Sequence, residues 1–180
     1  MIIHSFDDRS EAITSPGAFL GEQKHLCDVA IATFSREIFQ RVLDTYPWTP
    51  IGEIRSVNKT KPLLLLTVNG RKIAFYLSEI GSAMASNDII EVSWMTGASH
   101  FILFGSAGSL SRDRTEGRYV IPTAAYRDEG MSYHYAPPAD YISLPNAALL
   151  AGLFSRWGLP HVEGRGGTTD AFYRETRRLG

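Results

Sequence analysis

The chain has 180 residues, 44% of them hydrophobic and 21% charged, proportions that suit one globular domain with a sizeable core, and two domains are not expected. Its 18 Lys and Arg against 19 Asp and Glu leave a net charge of −1, which excludes a global basic field for nucleic acid and a polybasic tail for a membrane. Cys27 is the single cysteine, so no disulfide can close within the chain, and its expected role is small core filler in a reducing compartment.

The first residues, with Asp7, Asp8 and Glu11, lack the basic-then-apolar pattern of a signal, and no apolar run approaches the ~20 residues that span a bilayer. A cytoplasmic protein is expected. His4, His25, His100, His134 and His161 show no metal-ligand spacing, so no metal is expected.

Residues 1–25 contain Pro16-Gly17 and read as an arm with little regular structure. A strand over 28–32 follows, and Ser35 then caps a helix whose Ile38, Phe39, Val42 and Leu43 share a core-facing side. No Gly-x-Gly-x-x-Gly follows that first strand, so a dinucleotide fingerprint is absent. Strands are predicted over 51–57 and 63–68, and Asn69-Gly70 is a type I′ hairpin signal joining the second to a strand over 72–77. Glu79-Ile80-Gly81-Ser82-Ala83 precedes a helix with Ile89, Val92 and Met95 at helical spacing and Gly97 at its end. Trp94 reads as packing.

The apolar run 101–104 reads as the end of a buried strand, broken by Gly105-Ser106-Ala107-Gly108-Ser109. Two glycines three apart allow positive φ and close approach of a ligand to backbone N–H groups, and Ser106 adds a hydroxyl donor. Gly105, Ser106 and Gly108 are therefore a candidate anion cradle, with an ordinary tight turn as the competing reading. Gly117-Arg118 leads into a strand over 119–121 that Pro122 ends, and the charged stretch from Thr123 to Gly130 reads as a loop. Pro145-Asn146 starts a helix carrying Leu149, Leu150, Leu153, Phe154 and Trp157, stopped by Gly158 and Pro160, its apolar face covering a sheet. A short strand from His161, a flexible turn over 164–167 and the stretch Thr168-Thr169-Asp170-Ala171-Phe172-Tyr173 complete the reading. Strands alternating with helices point to an α/β fold with ligand loops at strand ends.

The Gly-Ser-x-Gly turn at 105–108 followed by Ala125-Tyr126-Arg127-Asp128-Glu129-Gly130-Met131-Ser132-Tyr133-His134-Tyr135 resembles the nucleoside phosphorylase superfamily, the uridine and purine nucleoside phosphorylases, and looks most like the uridine version. The resemblance implies an α/β fold with a mixed, partly closed central sheet flanked by helices in three layers. It implies a pentosyltransferase that splits the N-glycosidic bond of a nucleoside into free base and pentose 1-phosphate, with no cofactor and inorganic phosphate as co-substrate, working as a homo-oligomer (dimer or hexamer). By resemblance Gly105, Ser106 and Gly108 hold phosphate, and Gly81, Arg127, Glu129, Phe172 and Arg178 hold base and ribose, Phe172 by stacking on the base. His4 and either Arg55 or Lys59 would reach a neighbouring subunit's site, Lys59 suiting the spacing and Arg55 the residue type. Plainer roles compete: an exposed residue without function for His4, solvated surface charge for Arg55 and Lys59, and an ion pair that fixes the loop for Arg127 and Glu129.

The chain also departs from the family pattern. Thr33-Phe34-Ser35 stands where a Gly-Asp-Pro turn donates to phosphate, Leu103 where many members carry a phosphate-binding arginine, and Thr176 where a glutamine would pair with Arg178. Hydrolysis could then replace phosphorolysis, as in the related nucleosidases, and a catalytically silent nucleoside-binding or structural subunit is a third reading; purine against pyrimidine stays open. Family members continue past the Phe-Tyr stretch into a Met-Glu segment that holds the ribose hydroxyls. The catalytic residues are thus expected beyond Gly180, and the 180-residue chain alone is expected to be weak or inactive and to self-associate.

Overall fold

The computed structural model of the chain describes residues 1–176, which fall into two compact units: Ser10–Ser106, and Met1–Arg9 together with the residues from Ala107 onward. The first unit contains α1 (Gly17–Leu20), β1 (Val29–Thr33), α2 (Arg36–Thr45), β2 (Trp48–Arg55), β3 (Thr60–Val68), β4 (Arg71–Leu77), α3 (Ser82–Thr96) and β5 (His100–Phe104). Its five strands form one open, mixed sheet in the order β2-β3-β4-β1-β5. β4, β1 and β5 run parallel, while β2 and β3 are antiparallel additions. The class is α/β with a mixed sheet flanked by helices, as expected, but the sheet is not closed.

Local chemistry accounts for these elements. Ser35 caps α2, its Oγ accepting from the Ile38 N–H at 3.3 Å, and Gly97 ends α3 in the left-handed region at φ 78°. Asn69 and Gly70 both take positive φ, 50° and 76°, as a type I′ hairpin between β3 and β4 requires. Side chains alternate across β4: Ala74 and Tyr76 join the core with Ala30, Ala32, Leu63 and Val92 of α3, whereas Phe75 points to the other face and stacks on Phe39 of α2 at 5.2 Å. α2 and α3 therefore cover opposite faces of the sheet, and Cys27 packs against the α3-side core.

The run 101–104 departs from expectation. β5 is the outermost strand of the sheet, so Ile102, Leu103 and Phe104 remain 49%, 47% and 41% exposed; an apolar strand reads alike whether it is central or at an edge.

The second unit holds α4 (Arg112–Thr115), β6 (Tyr119–Asp128), β7 (Tyr141–Ser143), α5 (Ala147–Arg156) and β8 (His161–Thr169), with strand order β7-β6-β8. Pro122 does not end its strand. β6 continues through it to Asp128, and the pairing with β8 shifts register between Pro122 and Ala124, where the missing N–H is tolerated. Most of the expected loop from Thr123 is thus strand. The expected flexible turn at 164–167 is likewise strand: Gly164 lies beside Pro122 and Gly167 beside Tyr126 along parallel β8. On α5 the buried residues are Ala147 and Ala151, with Phe154 partly buried against Ile121, while Leu149 and Trp157 are exposed. The small residues allow close approach, so the bulky stripe read from the sequence is not the buried one.

Candidate functional site

In an α/β sheet, ligands gather beyond the carboxyl ends of parallel strands. Thr33 of β1 lies in register with Leu77 of β4 and Phe104 of β5, so three such ends stand side by side. The Ser78 N–H donates to the Thr33 carbonyl at 2.9 Å and the Phe34 N–H to the Phe104 carbonyl at 3.4 Å. The segments Ser78–Gly81, Phe34-Ser35 and Gly105-Ser106 are thereby brought together at one edge. Gly81 takes φ 112° at the start of α3, a conformation that favours glycine. Of the sequence-predicted residues, Gly105 and Ser106 directly follow β5, and Gly81 lies past the end of β4 at the start of α3.

Neither Gly105 nor Gly108 has positive φ, contrary to the reason offered for their being glycine. Gly105 is needed for space: a Cβ there would lie 2.9 Å from Cδ2 of Phe34. The Phe34 ring thus packs against the cradle, and Ser106 is exposed beside it. Gly108 belongs to the second unit and meets no neighbour within 4 Å of an added Cβ.

Beneath the Ser78–Gly81 turn lies a cluster that sequence reasoning did not single out. Lys61 Nζ of β3 is 2.6 Å from Asp88 Oδ2 of α3, with side chains 7% and 3% exposed. The same oxygen accepts from the Glu79 N–H at 3.4 Å, and the Glu79 carboxylate faces Lys59 Nζ at 3.5 Å. Burial, and then the charge of Asp88, push the Tyr76 phenol up; its hydroxyl is buried without a hydrogen-bond partner among the described residues. Glu91, one turn along α3, is also raised, first by burial and then by Asp88, with Lys61 opposing. A groove of about 380 Å³ opens here between Arg55, Ser56 and Asn58 on one side and Met84, Asn87 and Glu91 on the other. The sequence signal was present: Lys61 shares its strand face with Leu63, and Asp88 shares its helix face with Val92 and Thr96.

Of the two basic residues considered for a neighbouring subunit, Lys59 leans on the Ser78–Gly81 turn, whereas Arg55 makes an exposed 3.0 Å pair with Glu53. His4 is exposed in a short 3₁₀ turn over Ile2–His4.

In the second unit, Arg127 and Glu129 meet, though through a third residue instead of a direct ion pair. Arg127 is 5% exposed. Its Nε donates to Ser132 Oγ at 2.8 Å, and its two terminal nitrogens donate to the Pro137 and Ala136 carbonyls at 2.7 and 3.3 Å. The Tyr133 ring lies 4.1 Å beneath the guanidinium. Glu129 accepts from both the N–H and the hydroxyl of Ser132. These bonds tie the 129–137 segment together through Ser132 and the Ala136 and Pro137 carbonyls, as a loop-fixing role would. Phe172 is 72% exposed in a 3₁₀ turn and meets Tyr173 edge-to-face at 5.3 Å. Arg178 lies outside the described residues. Among the described residues, no helix is long and apolar enough to cross a membrane.

A family model described as Phosphorylase superfamily matches residues 28–179. Solved structures with the same fold include uridine phosphorylase from Vibrio fischeri ES114, at 21% identity over 89% of this chain and 69% of that one, TM-score 0.69. Purine nucleoside phosphorylase from Toxoplasma gondii, in complex with immucillin-H, is similar at 21% identity over 87% and 65%, TM-score 0.68. The 5'-methylthioadenosine/S-adenosyl homocysteine nucleosidase of Helicobacter pylori is similar at 18% identity over 87% and 70%, TM-score 0.65.

Proposed function

The chain belongs to the phosphorylase superfamily, and from that premise we propose that it acts on a nucleoside, cleaving the N-glycosidic bond between base and pentose. The observation that supports this reading is the alignment of three parallel strand ends, Thr33 of β1 in register with Leu77 of β4 and Phe104 of β5, each followed by a loop that the resemblance assigns to ligand binding. Cleavage passes through an oxocarbenium-like state, which needs a nucleophile held near the anomeric carbon and support for charge appearing on the leaving base. The strand ends supply backbone and hydroxyl groups for the first task.

The chemistry at those ends favours water as the nucleophile. Phe34 packs against Gly105 beside the candidate anion cradle, Leu103 stands where the family resemblance expects an arginine, and Lys59 and Lys61 near the Ser78–Gly81 turn face the Glu79 and Asp88 carboxylates. Phosphorolysis by a pentosyltransferase is the second reading, favoured by the exposed hydroxyl of Ser106 next to the Gly105 backbone. Both readings carry the expectation of a homo-oligomer, with His4, Arg55 or Lys59 reaching a neighbour. A panel of uridine, inosine and adenosine, followed with and without inorganic phosphate, tests the proposal. Release of free base at a rate independent of phosphate supports hydrolysis, and strict phosphate dependence with pentose 1-phosphate as product replaces it by phosphorolysis. Binding of nucleoside without turnover leaves a catalytically silent subunit, and absence of binding removes the proposal.

A further inference from the structure

We infer that Lys61 and Asp88 are positioning residues for the Ser78–Gly81 turn, with the Asp88 carboxylate acting as a backbone anchor. This rests on the reading above only in taking that turn as part of the ligand-binding edge. Asp88 Oδ2 binds two groups at once, Lys61 Nζ at 2.6 Å and the Glu79 N–H at 3.4 Å. The turn is held from the other side by Ser78, whose N–H donates to the Thr33 carbonyl at 2.9 Å and whose hydroxyl donates to the Glu79 carbonyl at 3.0 Å. Outside, Lys59 pairs with the Glu79 carboxylate at 3.5 Å.

The choice of residues argues for positioning over stability. A buried ion pair is costly to desolvate, and an apolar pair of similar volume commonly serves a core as well or better. Ala30, Ala32, Leu63 and Val92 already form the core on this side of the sheet, so packing alone does not call for charge. An apolar residue at 88 could not accept the Glu79 N–H, which a carboxylate does while Lys61 neutralises it. The pair therefore joins β3, α3 and the turn at the point where the chain passes from Leu77 at the end of β4 to Gly81 at φ 112°. Glu79 adds the outer contact to Lys59.

The test compares two double variants that both remove the buried charges. In Lys61→Met/Asp88→Asn the amide oxygen can still accept the Glu79 N–H, and in Lys61→Met/Asp88→Leu nothing can. Hydrogen exchange at residues 79–81 should stay near wild type in the first and speed up roughly tenfold in the second, as loss of a single anchoring hydrogen bond implies. Nucleoside KM should rise with the leucine variant and recover with the asparagine one, while thermal midpoints of the two stay close. Equal exchange in both variants overturns the inference. Should the leucine variant not fold, Glu79→Pro deletes the donated N–H and leaves the pair intact; unchanged exchange at 80–81 and unchanged KM then overturn it. If the wild type neither binds nor cleaves nucleosides, the functional reading fails, and the exchange comparison still decides the role of Asp88.

Discussion

Arg127→Ala separates the two roles open to this residue, loop organiser and base contact. The guanidinium makes hydrogen bonds of 2.8 and 2.7 Å to Ser132 Oγ and the Pro137 carbonyl, and a longer one of 3.3 Å to the Ala136 carbonyl. A bond to a charged group is worth roughly 1.5–3 kcal/mol, and the long one less. The Tyr133 ring at 4.1 Å adds on the order of 0.5–2 kcal/mol. These terms share one side chain and are not additive, so a loss of about 3–5 kcal/mol is expected for truncation. Urea unfolding gives the loss directly, and exchange at residues 131–137 shows whether it is local. Arg127→Lys should recover less than half, because a single ammonium cannot span three separated acceptors. A loss below about 1 kcal/mol, together with a fall of more than tenfold in nucleoside affinity, would refute the organiser role and restore Arg127 to the base site.

Tyr76→Phe should stabilise the fold by roughly 1–3 kcal/mol, since it removes a buried hydroxyl that has no partner among the described residues; destabilisation in chemical unfolding would mean that the hydroxyl is satisfied in solution. Glu91 holds its proton more tightly in the folded than in the unfolded chain, so stability falls as pH rises from its ordinary 4.5 through the raised folded value and stays lowered above it. Glu91→Gln should therefore stabilise the protein at neutral pH and much less in acid, and a gain independent of pH would remove burial and Asp88 as its cause. Phe34→Ala opens the strand end next to Gly105, and calorimetry should detect phosphate binding stronger than in wild type; no change would mean that the ring is not what keeps the anion out. Phe172→Ala should weaken nucleoside binding by roughly 1–3 kcal/mol, the worth of base–aromatic stacking; unchanged nucleoside affinity would remove Phe172 from base binding.

Much of this protein follows from local sequence chemistry. Ser35 as a cap, Asn69-Gly70 as a hairpin, Gly97 as a helix stop and the periodicity of Ile89, Val92 and Met95 are all decided within a few residues, because each satisfies its backbone or its helix face from its own neighbourhood. The run from Ala125 to Tyr135 carried the family, since its residue types and spacing are specific over eleven positions. What the tertiary structure alone decided depends on partners far along the chain. Pro122 and Gly164, Gly166 and Gly167 are poor strand formers in isolation, and only the pairing of β6 with β8 makes them strand. The exposure of Ile102, Leu103 and Phe104 depends on β5 ending the sheet, a matter of strand order that no local pattern encodes. Lys61 and Asp88 are 27 positions apart, and each alone reads as an ordinary charge. They become a buried pair because β3 and α3 bring them together on the same side of the sheet, and Coulomb attraction with the Glu79 N–H offsets a desolvation that neither residue could bear alone.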